Sequence, residues 1–193
     1  MATASQAETR ERILDVAQRL VQARGFSGFS YADIAAKVGI RKASIHHHFR
    51  TKGILGKELM IRYRVAFREA LASIDRKGGT AGSKLQRYAK LFADVLRDDH
   101  RMCLCGMLAA DFDALPKSVR DEVRGFFDDS EAWLTGVLED GRRNRSLSFE
   151  ESPQLQARVI LSTLEGAMLV ARSHGEVARF ESVARRVFAH LAA

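Results

Sequence analysis

The stretch from Tyr31 to Phe49 reads YADIAAKVGIRKASIHHHF. Ile34, Val38, Ile40, Ile45 and His48 fall at the inward positions of two short helices meeting at a tight turn. The spacing predicts a first helix over about Tyr31–Val38 and a second over about Arg41–His48. Gly39 stands between them, where a left-handed backbone is needed and a Cβ is costly. Ala35 is small, as a position crossed closely by the second helix requires. This is the pattern of a helix-turn-helix, whose second helix enters a DNA major groove.

The rest of the chain agrees with an all-α fold. Its 193 residues include only two prolines, and no alternating run is long enough for a strand. No apolar stretch reaches membrane-spanning length, so no membrane partner is expected. The N-terminus lacks the apolar core of a signal peptide, which points to the cytoplasm. Cys103 and Cys105, the two cysteines, are no disulfide framework.

Charge is unevenly distributed. Residues 1–76 hold 14 Lys or Arg against 7 Asp or Glu, and residues 77–193 hold 17 of each. The whole net charge of +7 therefore lies in the segment carrying the helix-turn-helix. Cations concentrated there suit nucleic acid, because neutralising phosphates releases counterions.

Around this centre, the first helix is expected over Glu8–Arg24, capped by Ser5 and Glu8, with Ile13, Leu14, Ala17, Leu20 and Val21 as its apolar stripe. Gly25 ends it, and Phe26 and Phe29 plug the core. Ser30 and Asp33 resemble a cap for the next helix. Thr51 caps a long helix to about Ile74. Lys52, in its first turn, opposes the helix dipole and is better explained by a phosphate contact. Asp75–Gly82, with three glycines, reads as a linker. Five further helices follow, over about Ser83–Arg97, Cys103–Phe112, Pro116–Gly141, Ser152–Ser173 and a last one carrying Val177 to Leu191. The total is about nine. The chain divides into a DNA-binding region, 1–52, a connecting helix and linker, 53–80, and an effector-binding and dimerisation region, 81–193.

The eighth helix is apolar nearly all round, so both sides must be covered. Val159, Leu164, Ala167, Val177, Phe180, Ala184 and Val187 on the last two helices form a packing seam, read as the interface of a homodimer.

Sharper chemistry finds little support. His46, His47 and His48 point about 100° apart in turn on a helix and cannot chelate one ion together. His100, Cys103 and Cys105 could hold a metal only at an irregular helix start, so a helical metal or redox protein is the rival reading, beside a non-specific DNA binder. No Gly-rich phosphate loop, HExxH or Gly-x-Ser-x-Gly turn is present, and neither an enzyme nor a cofactor is expected. Cys103 near a helix N-terminus, with Arg101 beside it, is a candidate reactive thiol. Phe67, Tyr88, Phe92, Leu104, Met107, Phe126, Trp133 and Met168, with Cys103, are candidates to line a pocket for an unidentified small-molecule effector.

The N-terminal helix, the helix-turn-helix, the pair His48-Phe49 and the following Thr51-Lys52 together resemble the TetR family of bacterial transcriptional regulators. Leu164-Glu165-Gly166-Ala167 is similar to a common eighth-helix sequence of that family. The resemblance implies a homodimeric repressor that releases a double-stranded operator when an effector enters the C-terminal domain. Carried over residue by residue, it implies DNA contacts from Ser30, Tyr31, Arg41, Lys42, Ser44, His46 and His47, with Lys52 on a phosphate. Three positions depart from the usual pattern: Arg41 stands for Ser or Thr, Ala43 for Gly, and His46 for Tyr. Arg41 cannot cap its helix as Ser would, but it can read guanine through two hydrogen bonds.

Overall fold

The computed structural model describes the backbone of residues 2–191 and the side chains of residues 5–191. Among these residues it has nine α-helices and no strand. They are α1 (Ala2–Arg24), α2 (Tyr31–Val38), α3 (Lys42–His48), α4 (Lys52–Arg76), α5 (Ala81–Arg97), α6 (Leu104–Ala110), α7 (Lys117–Arg143), α8 (Pro153–His174) and α9 (Val177–Ala189). A 3-10 turn, Phe112–Ala114, lies between α6 and α7.

Local chemistry explains most of the boundaries. Ser152 accepts from the Leu155 N–H at 3.2 Å, and Pro153 opens α8. Thr80 caps α5 in the same way through the Ser83 N–H at 3.2 Å, so α5 starts at Ala81 rather than Ser83. The first helix departs from expectation. It starts at Ala2, not Glu8, so Ser5 is no cap. Its carbonyl instead accepts from the Thr9 hydroxyl at 2.9 Å within the helix. A capping sequence works only where the chain leaves helical geometry, and here the preceding residues continue it. The sixth helix also starts one residue later than expected, leaving Cys103 just outside it.

The chain forms two compact units, and neither is continuous in sequence. One comprises residues 1–65 and 104–124, the other residues 66–103 and 125–193. This differs from the expected division at residues 52 and 80. The reason is that α6 packs on α1, which brings residues 104–124 into the first unit. Helices α4 and α7 each contribute residues to both units.

In the first unit, Ile13, Ala17 and Val21 of α1 are fully buried, together with Ile34, Ile45 and Phe49. Phe26 and Phe29 meet edge to face, with ring centroids 6.3 Å apart. Gly56 of α4 lies so close to Phe26 that a Cβ there would stand 2.8 Å from the ring. Arg62 of α4 reaches α1 through Asp15 at 2.8 Å and Glu11 at 3.0 Å. In the second unit, α9 packs on α8 and α5, and α5 also packs on α8.

Candidate DNA interface and effector chamber

The helix-turn-helix assembles from short-range signals. Ser30 and Asp33 form a complete capping box, with the Ser30 N–H donating to the Asp33 carboxylate at 2.8 Å. Hydrogen bonds from the Ser30 side chain and backbone, in that order, hold the Asp33 carboxyl below the usual range. Gly39 ends α2 with φ 76°, and its N–H donates to the Ala35 carbonyl. Arg12 of α1 donates to the Val38 carbonyl at 2.7 Å, satisfying another acceptor that the end of α2 leaves open. Arg41 precedes α3 with no side-chain cap bond, as its chemistry requires.

This scaffold gives α3 two unlike faces. Ile45 is fully buried, whereas Arg41, Lys42, Ser44, His46 and His47 are exposed. His46 leans on Tyr31, ring centroids 4.8 Å apart, and its Nδ1 lies 3.3 Å from the Arg50 carbonyl. His48 is half-buried; burial first, then His47 and Arg10, push its pKa down. The exposed face therefore offers two permanent cations, a hydroxyl and two imidazoles, a donor set suited to base edges and phosphates. Arg50, directly after this helix, is a further exposed cation. It escaped sequence reasoning because it lies outside the helical spacing.

Two expected DNA contacts, Tyr31 and Lys52, have partners within the subunit. Tyr31 is buried and its hydroxyl donates to the Phe49 carbonyl at 2.9 Å. Lys52 Nζ donates to the Phe29 carbonyl and lies 3.9 Å from the Phe29 ring centroid and 5.0 Å from that of Phe26. Burial lowers its pKa, with Asp33 opposing. A backbone carbonyl and two ring faces thus explain a lysine where the helix dipole disfavours one. Ser30 is exposed, with its hydroxyl donating to Asp33 at 2.7 Å.

The second unit holds an aromatic cluster. Phe67 touches Phe126, Tyr88 and Phe92, at centroid distances of 4.6, 6.2 and 6.3 Å. Tyr88 stacks on Trp133 at 5.4 Å, and the indole N–H donates to Asp75 at 2.9 Å. The Cys103 N–H donates to the Met168 sulfur at 3.3 Å in the same unit. Seven of the nine expected effector-pocket residues are therefore in this unit. Leu104 and Met107 belong to the other, where the Met107 methyl carbon approaches Gly25. The Glu165 carboxylate and the Tyr88 hydroxyl are buried, with Cys103 interacting with the first and Ser130 with the second. Glu165 was quoted in the sequence only as part of a resemblance; a lone acid in the apolar α8 is the signal that marks it.

The other expected groups separate. His100 is exposed, Cys103 and Cys105 are buried, and the two cysteines belong to different units. Arg101 is ion-paired with Asp98 and donates to its carbonyl at 2.8 Å rather than standing open beside Cys103. Among the described residues no group of three or more His, Cys, Asp or Glu could hold a metal ion.

On the dimer seam, Leu164 and Phe180 are fully buried and Ala184 is 5% exposed within the subunit's own core. A side chain so enclosed has no surface left for a partner. The apolar groups left outside are Leu155, Val159, Leu169, Val170 and Val183. Ala167, Val177 and Val187 are half-buried.

Comparison with known proteins bears on both units. The family model described as bacterial regulatory proteins, tetR family, matches residues 13–59, and that of the tetracyclin repressor-like C-terminal domain matches residues 81–187. The chain belongs to the TetR family. A TetR-family regulator from Agrobacterium tumefaciens has a crystal structure similar at TM-score 0.94, with 34% identity over 97% of this chain and 100% of that one. The repressor NemR of Escherichia coli is 28% identical over 86% of this chain and 84% of its own length. The crystal structure of the reduced form of E. coli NemR matches at TM-score 0.83 with 26% identity, covering 97% of that chain and 95% of this one. This TetR-family chain is a DNA-binding transcriptional regulator, not an enzyme. The reading as a helical metal or redox enzyme is not favoured. TetR-family repressors bind DNA operators and usually act as dimers with small-molecule effectors. Among the described residues no helix is long and apolar enough to cross a membrane.

Proposed function

We propose that this chain is a homodimeric repressor that acts in the cytoplasm. It binds a near-palindromic operator through Arg41, Lys42, Ser44, His46 and His47, and an effector in the second unit releases it. The supporting observation is the face of α3, where these five residues stand exposed around the buried Ile45. Two such helices enter successive major grooves, roughly one DNA turn apart. The dimer forms through α8 and α9, using the apolar residues left outside the subunit core, Val159, Leu169, Val170 and Val183. Effector binding among Phe67, Tyr88, Phe92, Phe126 and Trp133 acts on the reading unit through α4 and α7, which contribute to both units. The effector shifts the population only if it prefers the state that does not hold DNA.

The test is fluorescence anisotropy with DNA from just upstream of the gene, at physiological salt with excess random DNA. Saturable binding that survives the competitor is expected. Binding erased equally by any DNA would leave only a non-specific DNA binder.

A thiol-reactive effector is a second reading, favoured by the position of Cys103 against Met168 beside the aromatic cluster and by the likeness to NemR. Treatment with an electrophile is expected to weaken operator binding by the wild type and to spare Cys103→Ser. Equal loss in both proteins would remove this reading.

A further inference from the structure

Helices α5 and α9 of the second unit leave a groove between them, with a cavity of about 840 Å³. Sites that bury a small molecule have volumes of roughly 300–1,000 Å³. Along α5 the lining runs from Gly82 to Arg97, about 22 Å at a rise of about 1.5 Å per residue. Its floor is apolar. Ala89 and Ala93 of α5 and Ala184 of α9 are buried there, with Phe188 half-buried beside them. Alanines on both helices leave room that longer side chains would fill. The groove shares no lining residue with the aromatic cluster. On α5, Ala89 and Ala93 follow Tyr88 and Phe92 by one residue each and are therefore turned about 100° away from them.

The groove also lies apart from the face of α9 assigned to the dimer. Glu181, Arg185 and Phe188 line it at spacings of four and three, one stripe of the helix. Val183 stands two residues from Arg185, about 200° round the helix. The rim of the groove is cationic. Lys90 and Arg97 of α5 both pair with Asp94, at 2.6 and 2.7 Å, and Arg97 also pairs with Glu181 across the groove. Three cations on the rim thus meet two acids. Arg185 is the cation left over: it is exposed, and its guanidinium has no ion pair or hydrogen bond among the described residues. A guanidinium receives a carboxylate through two parallel hydrogen bonds. An ammonium group would meet Arg185 with like charge, and a neutral chain would leave it unused.

We propose that the α5–α9 groove binds a small anionic amphiphile, a free carboxylate on an extended alkyl chain, with the chain laid along the alanine floor and the carboxylate held by Arg185. The site is additional to the aromatic cluster, and the proposal does not depend on an effector binding there.

Isothermal titration calorimetry on the full-length protein, without DNA, reads this directly. The ligands are decanoate below its micelle concentration, 1-decanol, decylammonium and butyrate. Decanoate is expected to bind saturably and at least about fivefold more tightly than 1-decanol. Decylammonium should bind no more tightly than 1-decanol, and butyrate, which lacks the long chain, at least about tenfold more weakly than decanoate. In Arg185→Ala the preference for decanoate over 1-decanol collapses to within about twofold, with the affinity for 1-decanol unchanged, whereas Arg185→Lys keeps the preference. Circular dichroism checks that both variants fold, as an exposed position allows. If Arg185→Ala does not fold, the order of the four ligands on the wild type decides alone. No saturable binding of decanoate, equal affinity for decanoate and 1-decanol, equal affinity for decanoate and butyrate, or an undiminished preference in folded Arg185→Ala overturns the proposal. Because no DNA is present, failure here is distinct from failure of operator binding.

Discussion

The Tyr31 hydroxyl donates to the Phe49 carbonyl at 2.9 Å, tying the first residue of α2 to the residue that ends α3. The bond is buried and spans the whole helix-turn-helix, so it fixes the angle at which α3 is presented. Tyr31→Phe leaves that carbonyl without its partner, which costs about 1–3 kcal/mol. Chemical denaturation is expected to show this loss, together with weaker operator binding. Unchanged stability would mean that water replaces the phenol.

The same tyrosine makes stability depend on alkaline pH. Burial raises its pKa from the ordinary 10.0 to about 12. The fold thus favours the neutral phenol. The stabilisation is complete below about pH 10 and is lost as pH rises through about 12. Denaturation midpoints measured across this window should fall more steeply for the wild type than for Tyr31→Phe.

Gly39 and Gly56 are required for different reasons. At Gly39, φ is 76° and a Cβ would meet nothing within 4 Å, so Gly39→Ala carries only the left-handed backbone penalty of about 1–2 kcal/mol. At Gly56 a Cβ would stand 2.8 Å from the Phe26 ring and 3.1 Å from a Val119 methyl group, an overpacking that costs about 1–3 kcal/mol. Shrinking the neighbour separates the two. Phe26→Leu is expected to relieve Gly56→Ala and to leave Gly39→Ala unaffected, in a double-mutant cycle read by thermal unfolding.

Arg41 and Lys42 are both exposed at the start of α3 but should fail differently. Arg41→Ala is expected to relax preference at one base pair by about 1–3 kcal/mol, as for loss of a bidentate guanine contact. Lys42→Ala should weaken binding to all sequences alike and reduce the salt slope by about one unit. Anisotropy over a salt series and a set of singly substituted operators distinguishes these outcomes.

Val170 and Phe180 lie on adjoining helices with opposite surroundings. Val170 is 52% exposed and Phe180 is fully buried. Val170→Glu should give a folded monomer by sedimentation, with helicity retained. Phe180→Ala should instead lower stability by about 3–5 kcal/mol, through the cavity it opens. A Val170→Glu protein that stays dimeric would move the interface away from this face of α8.

Much of the reading unit was legible because its signals are local. The capping pair Ser30-Asp33, the glycine at 39 and the inward Ile34, Val38 and Ile45 act within one or two helical turns, and the structure has α2 and the turn where these residues require them. The start of α1 was misread for the same reason. Ser5 and Glu8 have the spacing of a cap, but spacing alone does not say that the chain leaves the helix there.

The sequence by itself determined the all-α class, the helix-turn-helix and the concentration of positive charge on it, because helix periodicity, capping and composition are properties of neighbouring residues. Only the tertiary structure decided which apolar side of α8 faces the subunit's own core, since both sides are apolar and the choice depends on α5 and α9 packing against it. It decided that Lys52 turns to the Phe29 carbonyl, a residue 23 positions away, rather than standing open. It also decided that Glu165 of α8, Tyr88 of α5 and Cys103 share one interior. Such meetings arise from chain segments remote in sequence, and no local pattern encodes them.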